Sequence, residues 1–243
     1  MKPLDIEHVD KVLVLGGGIF GTRAVRHAIE SKFRTLVVDT DHSCRARSVC
    51  ERSVVDFSDL EPGKAGLIIG KAVHETLRLL REDPPDIIVP CIPGHLAGLV
   101  LEAAMDEKGV PYARGSRAII DVMSRVDPAL VFKSDIRTGT LVTSLMPPGG
   151  TCDPGCGQPE QRCPVSGLIK TENMDAILSD ACEEASDVSV VLTSRLIGSG
   201  VGCFDTSQLA GLITTVMGRR GPFSVTVGTS CSCHGILSFY DVG

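Results

Sequence analysis

The chain has 243 residues, 43% of them hydrophobic, and a formal net charge of -6 at pH 7. That length buries a substantial core without help from a metal, and it fits one large α/β domain or a domain with a smaller appendage. The acid excess, the lack of any basic run, the absence of Trp and the presence of only 2 Tyr argue against nucleic acid as a partner. No apolar stretch approaches the roughly 18 residues of a membrane span. Met1–His8 also lacks a basic segment followed by an apolar one. The expectation is a soluble, cytoplasmic protein with no membrane partner. In that setting 10 Cys read as thiols for metal or redox chemistry rather than as a disulfide framework.

In chain order, Lys11–Leu15 reads as an apolar strand running into a glycine turn. A helix follows over about 21–31 and a strand over 35–39, which makes a right-handed strand–helix–strand unit. Val54–Phe57 reads as a short edge strand. A helix over about 71–82 carries Ala72, Val73, Leu77, Leu79 and Leu80 and leads through Pro84-Pro85 into a strand over 86–90. A helix over 96–107 stops at Lys108-Gly109, and a short strand over 110–112 closes the first part, 1–112.

The second part, 113–243, opens with a helix near 116–124 and apolar bursts at 130–133 and 140–145. Pro147-Pro148-Gly149-Gly150 then breaks the chain ahead of a cysteine-rich loop. After the loop come a helix over 172–184, a strand over 188–192, a glycine loop over 198–202, a helix over 206–218 and a strand over 223–227. Gly66-Leu-Ile-Ile-Gly70-Lys71-Ala72 is one residue short of a phosphate loop and has Ala where that loop needs a hydroxyl, so no site is read there.

Gly16-x-Gly18-x-x-Gly21 between strand and helix has the form of a dinucleotide fingerprint. Gly16 allows the tight turn, Gly18 lets a pyrophosphate approach the backbone, and Gly21 lets helix and strand pack closely. Asp39, at the end of the next strand, stands where an acid holds a ribose 2′-hydroxyl, which favours NAD over NADP. The run V-L-V-L-G-G-G-I-F-G-T-R-A-V with T-L-V-V-D-T-D resembles the Rossmann domains of the TrkA-N and siroheme-synthase type over roughly the first 112 residues. Pro85–Pro90 through Pro111 also looks like the front domain of ATP-grasp proteins. The resemblance implies a Rossmann-like fold and carries over no reaction. The expected architecture is α/β: a mostly parallel sheet, helices on both faces and a Cys-rich insertion.

Cys152, Cys156 and Cys163 lie in one Gly/Pro-rich segment, and Cys231, Cys233 and His234 in another. Three thiolates in a loop need one further ligand, and Cys231, Cys233 or His234 supplies it. Four thiolates suit an iron–sulfur cluster, and three thiolates with an imidazole also suit structural zinc. Cys91 and His95, four residues apart, form a candidate thiolate and base pair. Arg195 ahead of Gly198 and Gly200 suggests an anion cradle.

If all strands are parallel, these loops gather at one sheet edge. The chain is then a redox protein that binds NAD(H) and an iron–sulfur cluster, with Cys91, His95 and Arg195 facing substrate and a redox protein as partner. The competing reading is a non-enzymatic nucleotide sensor with structural zinc.

Overall fold

The computed structural model of the chain describes residues 8–115, 117–147, 149–150, 156, 161–197 and 200–243. From the start these form β1 (Lys11–Leu15), α1 (Ile19–Glu30), β2 (Arg34–Asp39), β3 (Arg52–Ser53), β4 (Ala65–Ile69), α2 (Ala72–Glu82) and β5 (Ile87–Pro90). Next come α3 (Leu96–Lys108), β6 (Tyr112–Arg114), α4 (Ala118–Arg125), β7 (Val131–Asp135), β8 (Thr140–Ser144) and α5 (Met174–Glu183). The chain continues through β9 (Val188–Thr193), β10 (Arg195–Ile197), β11 (Val201–Asp205), α6 (Thr206–Gly218), β12 (Phe223–Ser230) and β13 (His234–Val242). No helix among the described residues is long and apolar enough to cross a membrane.

The α/β class is as expected, but the strands make two mixed sheets rather than one mostly parallel sheet. The chain divides into two compact units. The first is Lys2–Leu96 with Arg195–Ala210, and the second is Ala97–Ser194 with Gly211–Gly243. The division thus falls at Leu96/Ala97 rather than at the boundary after residue 112 that the sequence pattern suggests. Of the expected Cys-rich insertion, residues 151–155 and 157–160 lie outside the described residues.

In the first unit the strand order is β10-β11-β5-β1-β2-β4-β3. The strands from β5 to β3 are parallel, while β11 runs antiparallel to β5 and β10 antiparallel to β11. Val12–Leu15 and Leu36–Val38 are fully buried, as in sheets covered on both sides, whose strands read as continuous apolar runs. Helix α1 buries Gly21, Thr22, Ala24, Val25 and Ala28, residues three and four apart that share one helical face.

The end of α1 is closed by a Schellman arrangement. Phe33 N–H donates to the Ala28 carbonyl at 2.9 Å and Lys32 N–H to that of Ile29 at 3.0 Å. Lys32 takes the left-handed conformation this turn requires, φ +65°, in place of the usual glycine. On α2 the solvent face carries Arg78 between Glu75 and Glu82, at i,i+3 and i,i+4 spacing.

The second unit holds the sheet β7-β8-β13-β12-β9, with β6 also paired to β13. Here only β9 and β12 are parallel; the other described pairings are antiparallel. Helix α5 buries Met174, Leu178, Ala181 and Cys182 in a core that also contains Ile119, Val122, Leu237 and Phe239.

The glycine turn makes a stability prediction. A Cβ on Gly21 would stand 1.8 Å from the Gly16 carbonyl oxygen, whereas one on Gly18 meets nothing within 4 Å. Gly21→Ala is expected to cost about 2–4 kcal/mol by forcing α1 away from β1. Gly18→Ala, at the N-cap, is expected to cost about 1 kcal/mol or less. Urea denaturation midpoints check this, and a Gly21→Ala shift no larger than that of Gly18→Ala refutes the packing role.

Candidate functional site

The carboxyl ends of β1, β2, β4 and β5 frame a crevice in the first unit. From β1 the chain steps outward to β2 and β4, then returns to the other side of β1 as β5. Such a reversal opens a gap between neighbouring strand ends, the usual place for a ligand in parallel sheets. Here it is a cavity of about 250 Å³ lined by Gly16, Gly18, Asp39, Gly70, Cys91 and Pro93, among others.

Its floor is main chain. Gly16 has φ +97°, and a Cβ there would lie 2.5 Å from the Cys91 carbonyl oxygen. Cys91 N–H donates to the Leu15 carbonyl at 2.8 Å, which ties the end of β5 to that of β1. The Asp39 carboxylate is held from two sides, accepting from Gly17 N–H at 2.6 Å and from Asp41 N–H at 2.9 Å. Gly18 caps the N-terminus of α1, whose first turn has no acidic residue. The amides of a helix's first turn lack intrahelical partners and carry the positive end of its dipole. The crevice therefore combines an open, electropositive helix end at Gly18 with an anchored carboxylate at Asp39.

Cys91 lines this cavity, but burial pushes its thiol up to about 11. His95 is 8% exposed, and burial pulls its imidazole down to about 4. Both side chains are neutral near pH 7, so neither is an activated thiolate or a protonated acid in this state.

Arg195 is not with them. It opens β10 and pairs with Cys203 of β11, and Asp205 at the end of β11 pairs with Ile87 at the start of β5. The antiparallel direction of β11 thus puts Arg195 at the amino edge of the parallel strands, opposite Cys91. The glycine loop expected between a strand and a helix is instead the turn of the β10–β11 hairpin. Gly200 sits in it with φ +74°, and Gly198 lies outside the described residues.

The second cysteine segment is also a hairpin turn. Cys231–His234 joins β12 to β13, with Cys231 N–H donating to the His234 carbonyl at 2.9 Å and Cys231 Sγ 3.8 Å from His234 Nδ1. Cys233 N–H points to Cys231 Sγ at 3.5 Å, and Leu145 N–H donates to the Cys233 carbonyl at 3.1 Å. Cys163 lies 4.0 Å, sulfur to sulfur, from Met146 and shares a buried cluster with Cys233, against which Cys231 packs. Lys170 Nζ donates to Ser232 Oγ at 3.2 Å and so bridges the Cys163 segment to the turn.

The fold thus gathers Cys163, Cys231, Cys233 and His234 into one region of the second unit. Cys156 is half-buried, and Cys152 lies outside the described residues. Among the described residues no group of three or more His, Cys, Asp or Glu side chains is arranged to hold a metal.

Sequence reasoning missed Lys170, which is 9% exposed. The available signal was a lone lysine following Gly167-Leu168-Ile169 on the far side of the cysteine loop. Burial raises the Cys163 thiol, yet hydrogen bonds from Ser166, the Val165 amide and the Lys170 charge together bring it below the ordinary range. Burial raises Cys231, and burial followed by the Lys170 charge lowers His234.

The two units define an α/β protein with one sheet in each. Residues 11–96 match the family AF_1314_N, described as an uncharacterized protein's N-terminal domain, and residues 97–243 match its C-terminal domain, AF_1314_C. The chain belongs to this two-domain family, whose internal boundary coincides with the Leu96/Ala97 division between the units. No curated protein matches the chain.

The buried His95 makes a pH prediction. Its imidazole is depressed from the ordinary 6.5 to about 4 by burial. Between those values the unfolded chain binds more protons than the native one. The stability tied to neutral His95 is therefore complete above pH 6.5 and is lost as the pH falls through about 4. In urea titrations from pH 7 to pH 4, wild type is expected to lose about 3 kcal/mol more than His95→Gln over that window. A pH-independent difference between the two refutes burial of the neutral ring.

Proposed function

We propose that the first unit is a Rossmann-like domain binding NAD(H) in the β1–β5 crevice, and that the chain is a redox protein. The observation carrying this reading is the empty space over Gly18 at the N-terminus of α1, facing the Asp39 carboxylate across a floor of glycine backbone. In this reading the first amides of α1 bind the pyrophosphate, and Asp39 takes a ribose hydroxyl pair and rejects a 2′-phosphate.

In this reading the cysteine-rich loop of the second unit, Cys152, Cys156 and Cys163, holds an iron–sulfur cluster, with Cys231, Cys233 or His234 supplying the fourth ligand. The donors suit such a group, since they are soft sulfur ligands and Lys170 offsets the negative charge of thiolates beside it. When bound, NAD(H) supplies hydride transfer and the cluster single-electron transfer, with a second redox protein as partner. Hydride chemistry resides in the cofactor, so the neutral state of Cys91 and His95 does not oppose it.

That same neutrality favours a second reading, a nucleotide sensor without turnover whose thiols hold structural zinc.

Calorimetric titration tests the first claim. NAD+ is expected to bind more tightly than NADP+, and Gly18→Ala to weaken NAD+ by about tenfold or more while the protein remains folded. Undiminished binding to Gly18→Ala overturns the crevice assignment. Metal and acid-labile sulfide analysis of anaerobically purified protein tests the second. Comparable iron and sulfide, lost together in Cys163→Ser, support the redox reading. Zinc without sulfide supports the sensor, and protein without metal overturns both assignments of the thiols.

A further inference from the structure

A second and larger cleft, of about 590 Å³, lies at the amino edge of the first unit's parallel strands. Its size is that of small-molecule sites, commonly about 300–1,000 Å³. Val9, Leu80, Pro85 and Ala210 supply apolar wall, while Arg195, Asp86, Asp205 and Thr206 supply polar groups.

Each polar group is placed by the fold. Asp86 Oδ2 accepts from the amides of Asp10 and Lys11, both at 2.8 Å, which fixes its carboxylate ahead of β5. Asp205 Oδ1 accepts from Ser207 N–H at 2.8 Å and from Ser207 Oγ at 2.7 Å, capping α6. The helix end is thereby already matched to an anion and is not itself the recognition element. Arg195 makes no ion pair among the described residues. Thr206 is 4% exposed, and among the described residues its buried hydroxyl has no hydrogen-bond partner.

We propose that this cleft binds a zwitterionic amino acid with an apolar side chain. Arg195 takes the carboxylate, Asp205 and Asp86 face the ammonium group, and Val9, Leu80 and Pro85 cover the side chain. A simple anion would meet two fixed carboxylates and a simple cation would meet the guanidinium, so the charge pattern selects a ligand carrying both signs. The cleft lies at the opposite strand ends from the β1–β5 crevice and does not depend on what that crevice binds.

Calorimetry on the full chain tests this with L-leucine, 4-methylpentanoate and 3-methylbutylamine, which share the branched chain and carry both charges, the carboxylate alone, or the ammonium alone. L-Leucine is expected to bind about tenfold or more tightly than either relative. Arg195→Gln and Asp205→Asn should each weaken it by a similar factor. Asparagine remains a good N-cap, so Asp205→Asn removes charge without undoing α6, and unchanged melting curves verify that both variants are folded. Equal binding of 4-methylpentanoate, full binding by either variant, or no heat from L-leucine at about 10 mM overturns the proposal.

Discussion

The first unit depends on an approach of backbone to backbone that no side chain permits. Around the glycine turn a Cβ on Gly16 would stand 2.5 Å from the Cys91 carbonyl oxygen, and one on Gly17 2.4 Å from Cys44 Sγ. One on Gly21 would stand 1.8 Å from the Gly16 oxygen. The end of β1, the start of α1 and the segment after β5 thus meet at main-chain distance. Because they meet so closely, the crevice has a floor of peptide groups and a helix end aimed across it. Gly18 is the one member of the set whose missing side chain leaves open space, so packing explains three of these glycines and does not explain the fourth.

The direction of one strand decides which groups can act together. Were β11 parallel to β5, Arg195 would join Cys91 and His95 at the carboxyl edge. Because β11 is antiparallel, the guanidinium sits at the amino edge beside Asp86 and Asp205. Two separated concavities of the unit differ in character. One is built on glycine backbone and an anchored acid, the other on an arginine, two fixed carboxylates and apolar walls. In the second unit the organising charge is Lys170, whose burial would be costly without the Ser232 hydroxyl and the polarisable sulfurs around it.

Much of the chain was legible from pattern alone: β1, α1 and β2 lie within two residues of their expected bounds, as does α5, and α6 matches its expected span. What escaped were β4, β13 and the β10–β11 hairpin, and the loss of β4 and β13 traces to glycine inside a strand. A Cβ on Gly66 would meet Val54 at 2.3 Å, one on Gly228 Leu237 at 2.4 Å, and one on Gly235 Leu178 at 2.2 Å. These glycines mark places where neighbouring side chains press on the sheet, yet in sequence they resemble loop punctuation. The cysteine clusters were legible as chemistry but not as geometry. Nothing in C-S-C-H announces a hairpin until the strand after it is recognised, and the Lys170 link to Ser232 is a tertiary contact with no local signal.

Strand β13 pairs with β12, β8 and β6, so the second sheet is assembled around one of its last-made segments. On the ribosome β6, β7 and β8 emerge long before the strand that joins them, and for that interval their open edges are available to other chains. Closing such distant pairings is slow compared with forming local ones. The first unit's parallel core, by contrast, needs only residues up to β5. Synthesis therefore delivers a nearly complete glycine-turn domain well before its companion can close, and the exposure of the chain to misassembly is concentrated in the interval that ends when residues 234–242 appear.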